Sequence, residues 1–123
     1  NTLNTSVLVS RRSEYGVISV NTLALNDIDD KIDFVKMDIE GAEELAFDGM
    51  LNIWDKNPDC VLLMEFVPPQ YEKNGLLFYE KILSNGFNIG YVDYNGNEQH
   101  IADFSFFESD DAPFRMLVIR KQK

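Results

Sequence analysis

The chain has 123 residues, which suits one small domain with a modest core. Its hydrophobic content of 45% and aromatic content of 12% exclude a disordered chain. A net charge of −10, from 21 acidic against 11 basic residues, argues against nucleic acid and against anionic membrane surfaces as partners.

In chain order, "SVLVSRRSEYGVISVNTLAL" predicts an N-terminal β-hairpin with strands Ser6–Val9 and Val17–Leu23. Arg11 to Gly16 form its polar turn. An acidic loop, "NDIDDK", leads into "FVKMDI", read as the first buried strand. "GAEELAFDGMLNIWDKN" predicts one helix. Its apolar stripe is Ala42, Leu45, Ala46, Met50, Ile53 and Trp54, at spacings of three and four. Glu43 and Glu44 occupy its first turn, where the helix dipole favours acids, and Pro58 stops it.

"CVLLMEF" is a continuous apolar run of strand length, the pattern of a sheet covered on both faces. Pro68-Pro69 breaks it. A second helix follows in "GLLFYEKILSNG", with Leu76, Leu77, Tyr79, Ile82 and Leu83 on its apolar side and Gly86 as its C-terminal cap. Asn95-Gly96 marks a hairpin turn, and "APFRMLVIRK" is a last strand. The middle is a βαβ pattern, so its strands are expected to be parallel with right-handed crossovers. No internal repeat or linker interrupts the chain.

Cys60, the one cysteine, cannot form an internal disulfide and reads as a small core residue. Apolar runs are too short for a transmembrane helix, and the cytoplasm is the expected compartment. The chain starts at Asn1 rather than at a methionine, as a piece of a longer protein would.

Charge at the end of a buried strand needs a reason. Residues two apart in a strand face the same way, so Lys36, Asp38 and Glu40 share one side, with Phe34 deeper in. Val35, Met37 and Ile39 cover the other side. Glu65 holds the corresponding place near the end of the next strand. With the two strands parallel, Asp38 and Glu65 lie at the carboxyl edge of the sheet, where open α/β sheets bind ligands. A structural reading pairs a buried Lys36 with Glu65 or Asp38, or has Asp38 cap the following helix. A functional reading has the carboxylates bind a divalent cation or take a proton from a hydroxyl.

Other chemistry is sparse. His100, the one histidine, sits on a return strand, and Arg115 reads as a solvated or edge-protecting charge. Tyr71 and the Pro68-Pro69 pair follow Glu65 in a loop that either lines a substrate pocket or forms a rigid turn. The sequence has no G-x-S-x-G elbow, no P-loop and no G-x-G among its seven glycines.

"IDFVKMDIEGAEELAFDGM" resembles the FkbM family of S-adenosylmethionine-dependent methyltransferases. The likeness rests on an apolar strand followed by Lys36, Asp38, Glu40, Gly41, Glu43, Leu45 and Gly49. It is strong over Ile32 to Phe66, and "SVL", "VNTL" and "VLLMEF" extend it. The resemblance implies an α/β fold: the C-terminal half of a Rossmann-like methyltransferase sheet, mixed, with helices, plus the N-terminal hairpin. Its strands would be the fourth to seventh of that fold, the last antiparallel to its neighbours. The implied activity is methyl transfer from S-adenosylmethionine to a hydroxyl of a sugar or other small molecule.

By the same resemblance Asp38 and Glu65 are catalytic, Asp38 and Glu40 face the cofactor, and Lys36 and Glu43 support them. Tyr71 is the candidate for substrate contact. A divalent metal is compatible with the acidic pair. The family's glycine-rich cofactor loop and ribose-binding acid are not in this sequence. One departure lies within the match: after "TL" the family commonly has an acid, and here Ala24 and Leu25 precede Asp27. The 123 residues are therefore expected to be a partial, inactive domain that dimerises through an exposed sheet edge. Two rival readings are a metal-dependent nucleotide-sugar transferase clamping its cation with Asp38 and Glu40, and a non-catalytic α/β interaction domain.

Overall fold

A computed structural model describes residues 4–9, 17–109 and 115–123. Strands β1 (Asn4–Val9) and β2 (Val17–Thr22) pair antiparallel as a separate two-stranded sheet, so the predicted hairpin strands form. The turn expected at 11–16 lies outside the described residues.

The remaining strands are β3 (Phe34–Met37), β4 (Val61–Phe66), β5 (Phe87–Val92), β6 (Glu98–His100) and β7 (Arg115–Lys121). They form one mixed sheet in the order β3-β4-β7-β5-β6. β3 and β4 are parallel, with Phe34 opposite Val61 and Met37 opposite Met64. β7 inserts antiparallel between β4 and β5, the arrangement the resemblance implies for the last strand. Arg115 thus belongs to an interior strand, which corrects its reading as an edge-protecting charge. The fold is α/β, in keeping with a fragment of a Rossmann-like methyltransferase.

The expected single helix after β3 is two short ones, α1 (Glu43–Asp48) and α2 (Ile53–Lys56). Gly49 caps α1, at φ −81° and ψ 1°, and a turn at 50–52 resets the direction. The break changes which residues face inward. Leu45, expected in the apolar stripe, is 76% exposed, whereas Phe47 and Glu43 are buried. Positions 43, 47 and 50 form the inward row instead, at spacings of four and three.

The second helix is α3 (Leu76–Ser84), which buries Phe78, Tyr79 and Ile82. Leu77 and Leu83, expected on its apolar side, are exposed. Gly86 follows it in the left-handed region at φ 87°, which a C-terminal cap requires. Lys81 of α3 binds Glu44 of α1 at 2.7 Å and Asp48 at 3.3 Å, tying the two helices together.

The core lies between these helices and one face of the sheet, built from Met37, Leu62, Met64, Phe66, Leu117 and Ile119. Phe87 joins the layers, with ring centroids 5.4 Å from Phe47 and 4.6 Å from Trp54. The opposite face carries Phe34, Lys36, Val61, Leu63 and Glu65. β4 alternates between buried and half-buried along its length, so coverage on both faces is not seen among the described residues. Phe34, expected deep in the strand, is 55% exposed.

The β5–β6 hairpin is longer than an Asn-Gly pair alone would give. Asp93 Oδ1 accepts from the Asn95 and Asn97 N–H groups at 2.9 Å, and Gly96 takes the left-handed position at φ 83°.

Candidate active site

β3 ends at Met37, and the chain leaves the sheet at Asp38. One step beyond the Met37–Met64 pair, the register brings Asp38 level with Glu65 on the neighbouring parallel strand. Both lie at the carboxyl edge, with Glu65 on the face opposite the core. Their carboxyl groups interact. The Glu65 pKa is raised, first by partial desolvation and then by the Asp38, Glu40 and Glu43 carboxylates. A hydrogen bond with Asp38 also favours the protonated Glu65.

The chain then turns sharply over Ile39–Ala42, closed by the Ala42 N–H donating to the Ile39 carbonyl at 3.3 Å. Its two central residues both have positive φ, Glu40 at 57° and Gly41 at 99°, as in a type I′ turn. Glycine suits that region, whereas a glutamate there is disfavoured by its Cβ. Glu43 secures the turn: its Oε2 accepts from the Gly41 N–H at 2.8 Å, and its side chain is buried. Asp38 does not cap the helix, because the N-cap of α1 is Ala42 and receives no side-chain bond.

The loop after β4 packs on this turn. A Cβ placed on Gly41 would meet the Gln70 side chain at 3.8 Å. Tyr71 stacks on Phe66, with centroids 5.3 Å apart and planes 12° from parallel. Its hydroxyl is buried and makes no hydrogen bond of good geometry. Burial, then the charge of Glu43, pushes its pKa well above the ordinary tyrosine value. Lys73, Asn74 and Gly75 all have positive φ, and a Cβ on Gly75 would stand 2.5 Å from the Phe66 ring.

Among the sequence candidates, Asp38, Glu40, Glu43, Glu65 and Tyr71 converge at this edge. Lys36 does not join them through a salt bridge: it is exposed and has no ion pair among the described residues, so the buried pair with Asp38 or Glu65 is not formed. His100 is exposed on β6. It borders a cleft of about 300 Å³ with Asn88, Glu98 and Arg120. Arg120 pairs with Val61 at the start of β4, so that cleft lies toward the opposite end of the sheet from Glu65.

A family model of the methyltransferase FkbM domain matches residues 2–91, the greater part of the chain. The chain belongs to that family. No curated protein and no solved structure matches it. As an FkbM methyltransferase domain, it presents its family motif as a strand end, a left-handed turn and a short helix. The acceptor oxygens of Asp38 and Glu40 suit a cationic or hydroxyl-rich group. Among the described residues, no group of three or more His, Cys, Asp or Glu side chains is arranged to hold a metal ion. No helix among those residues is long and apolar enough to cross a membrane.

The burial of Glu43 and the close approach of Gly75 to Phe66 are not signalled by periodicity. The Asn74-Gly75 pair, a turn signal, is the available clue to the second.

Proposed function

We propose that these 123 residues form part of an S-adenosylmethionine-dependent methyltransferase that methylates a hydroxyl of a sugar or other small molecule. Family membership supports methyl transfer over the two rival readings. The observation that carries the acceptor chemistry is the Asp38–Glu65 pair at the carboxyl edge, with the Glu65 pKa raised.

When bound, S-adenosylmethionine supplies a methyl group on an electron-poor sulfur. Glu65 would act as general base, taking the proton of the acceptor hydroxyl as its oxygen receives the methyl group. A base with a raised pKa is better matched to that task near neutral pH. Asp38 accepts a hydrogen bond from the newly protonated Glu65 and places negative charge near the cofactor's cationic centre. Glu40, exposed on the turn, offers a second acceptor to the cofactor. Lys36 adds positive charge on the same face. Methyl transfer depends chiefly on alignment, so holding these groups still is much of the work.

The 123 residues contain no glycine-rich cofactor fingerprint, and we propose that alone they are inactive. The outer edge of β3, unpaired among the described residues and beside the exposed Phe34, supports self-association through that strand. One buried free thiol is compatible with the reducing cytoplasm. The test is methyl transfer by the whole protein, with labelled S-adenosylmethionine and a panel of hydroxylated small molecules. No transfer to any member would overturn the reading.

A further inference from the structure

Glu43 is left unexplained by a mechanism that uses Asp38 and Glu65. It is 1% exposed, in the first turn of α1. Removing a carboxylate from water is costly unless hydrogen bonds compensate it. The bond it makes goes to Gly41 N–H, at the centre of the turn that carries Asp38 and Glu40 out of the strand. That turn needs holding, because Glu40 occupies the left-handed region at φ 57°.

Beside Glu43 stands the second loop. The Tyr71 hydroxyl is buried without a hydrogen-bond partner, and the Glu43 charge reaches it. The Tyr71 ring in turn stacks on Phe66, the residue next to Glu65. One continuous path therefore runs from Gly41 through Glu43, Tyr71 and Phe66 to Glu65. It joins the loops that follow both parallel strands.

We infer that Glu43 is a positioning residue for methyl transfer: its buried carboxylate locks the Ile39–Ala42 turn against the Tyr71 loop and so sets Asp38 against Glu65. This rests on the methyltransferase reading of the same edge. A purely structural Glu43 would change stability alone. A positioning Glu43 changes turnover in a folded protein, and an uncharged acceptor restores it.

The experiment uses the whole protein as wild type, Glu43→Ala, Glu43→Gln and Gly41→Ala. Amide exchange at Gly41, read by NMR, reports the clamp without any turnover. It is slow in wild type and Glu43→Gln, and at least tenfold faster in Glu43→Ala. Glu43→Ala and Gly41→Ala each lower kcat at least tenfold, with KM for S-adenosylmethionine within threefold of wild type. Glu43→Gln, which keeps an oxygen for the Gly41 N–H, retains at least a third of kcat. If Glu43→Ala does not fold, Gly41→Ala and Glu43→Gln still decide the matter. Unprotected Gly41 in wild type, wild-type kcat in Gly41→Ala, or Glu43→Gln with a tenfold loss of kcat overturns the inference. A wild type that transfers no methyl group to any acceptor sinks the methyltransferase reading instead, whatever Gly41 exchange shows.

Discussion

Asp38 and Glu65 stand level at the carboxyl ends of two adjacent parallel strands, one step past the Met37–Met64 pair. Neither strand alone brings the two carboxylates together. Their register does, and there the Asp38 charge helps to raise the Glu65 pKa.

The pair should leave a mark on stability. Glu65 holds its proton more tightly in the folded chain than in the unfolded one. Its stabilising contribution is therefore complete below the ordinary value of 4.5 and is lost as pH rises through the raised folded value. Melting curves from pH 4.5 upward should show Glu65→Gln gaining stability over wild type as pH rises. A constant difference across that range would mean that Glu65 does not titrate abnormally.

Gly75 is held at φ 88° with no room for a Cβ beside Phe66. Gly75→Ala should cost about 3 kcal/mol, from left-handed strain and overpacking together. Chemical denaturation measures it. A loss below about 0.5 kcal/mol would show that the loop relaxes without strain.

Much of this was legible in the sequence, for identifiable reasons. The βαβ order, the strands and the approach of Asp38 to Glu65 follow from apolar runs separated by turn residues. Periodicity misplaced Leu45 and joined α1 to α2 because it assumes one uninterrupted helix, and the break at Gly49 shifts the inward row to Glu43, Phe47 and Met50. It also put Phe34 in the interior, since an apolar residue on a strand reads as buried whether or not anything covers its face. Glu43 read as an acid of the helix's first turn and as a support for the site, with nothing to signal its burial. It is instead 1% exposed and bonded to the Gly41 N–H, a tertiary outcome that no local pattern encodes.

The edge of β3, unpaired among the described residues, is expected to associate. Sedimentation of the 123-residue chain should show dimers that grow with concentration, and Phe34→Pro, which removes an N–H facing away from β4, should weaken them. A monomer at every concentration would refute pairing through this edge.

The same 123 residues should bind S-adenosylmethionine too weakly for calorimetry, because they offer no glycine-rich loop to its phosphate-free nucleoside end. Micromolar affinity (about −8 kcal/mol) would mean that the Asp38–Glu43 segment holds the cofactor by itself.

The most direct test of the account is single-turnover methyl transfer by the whole protein carrying Glu65→Gln or Asp38→Asn. Glu65→Gln is expected to slow the chemical step by about 10²–10⁴-fold, the usual contribution of a general base, with cofactor affinity little changed. Asp38→Asn should both slow the step and weaken cofactor binding. Wild-type rates in both variants would contradict the assignment of this carboxylate pair.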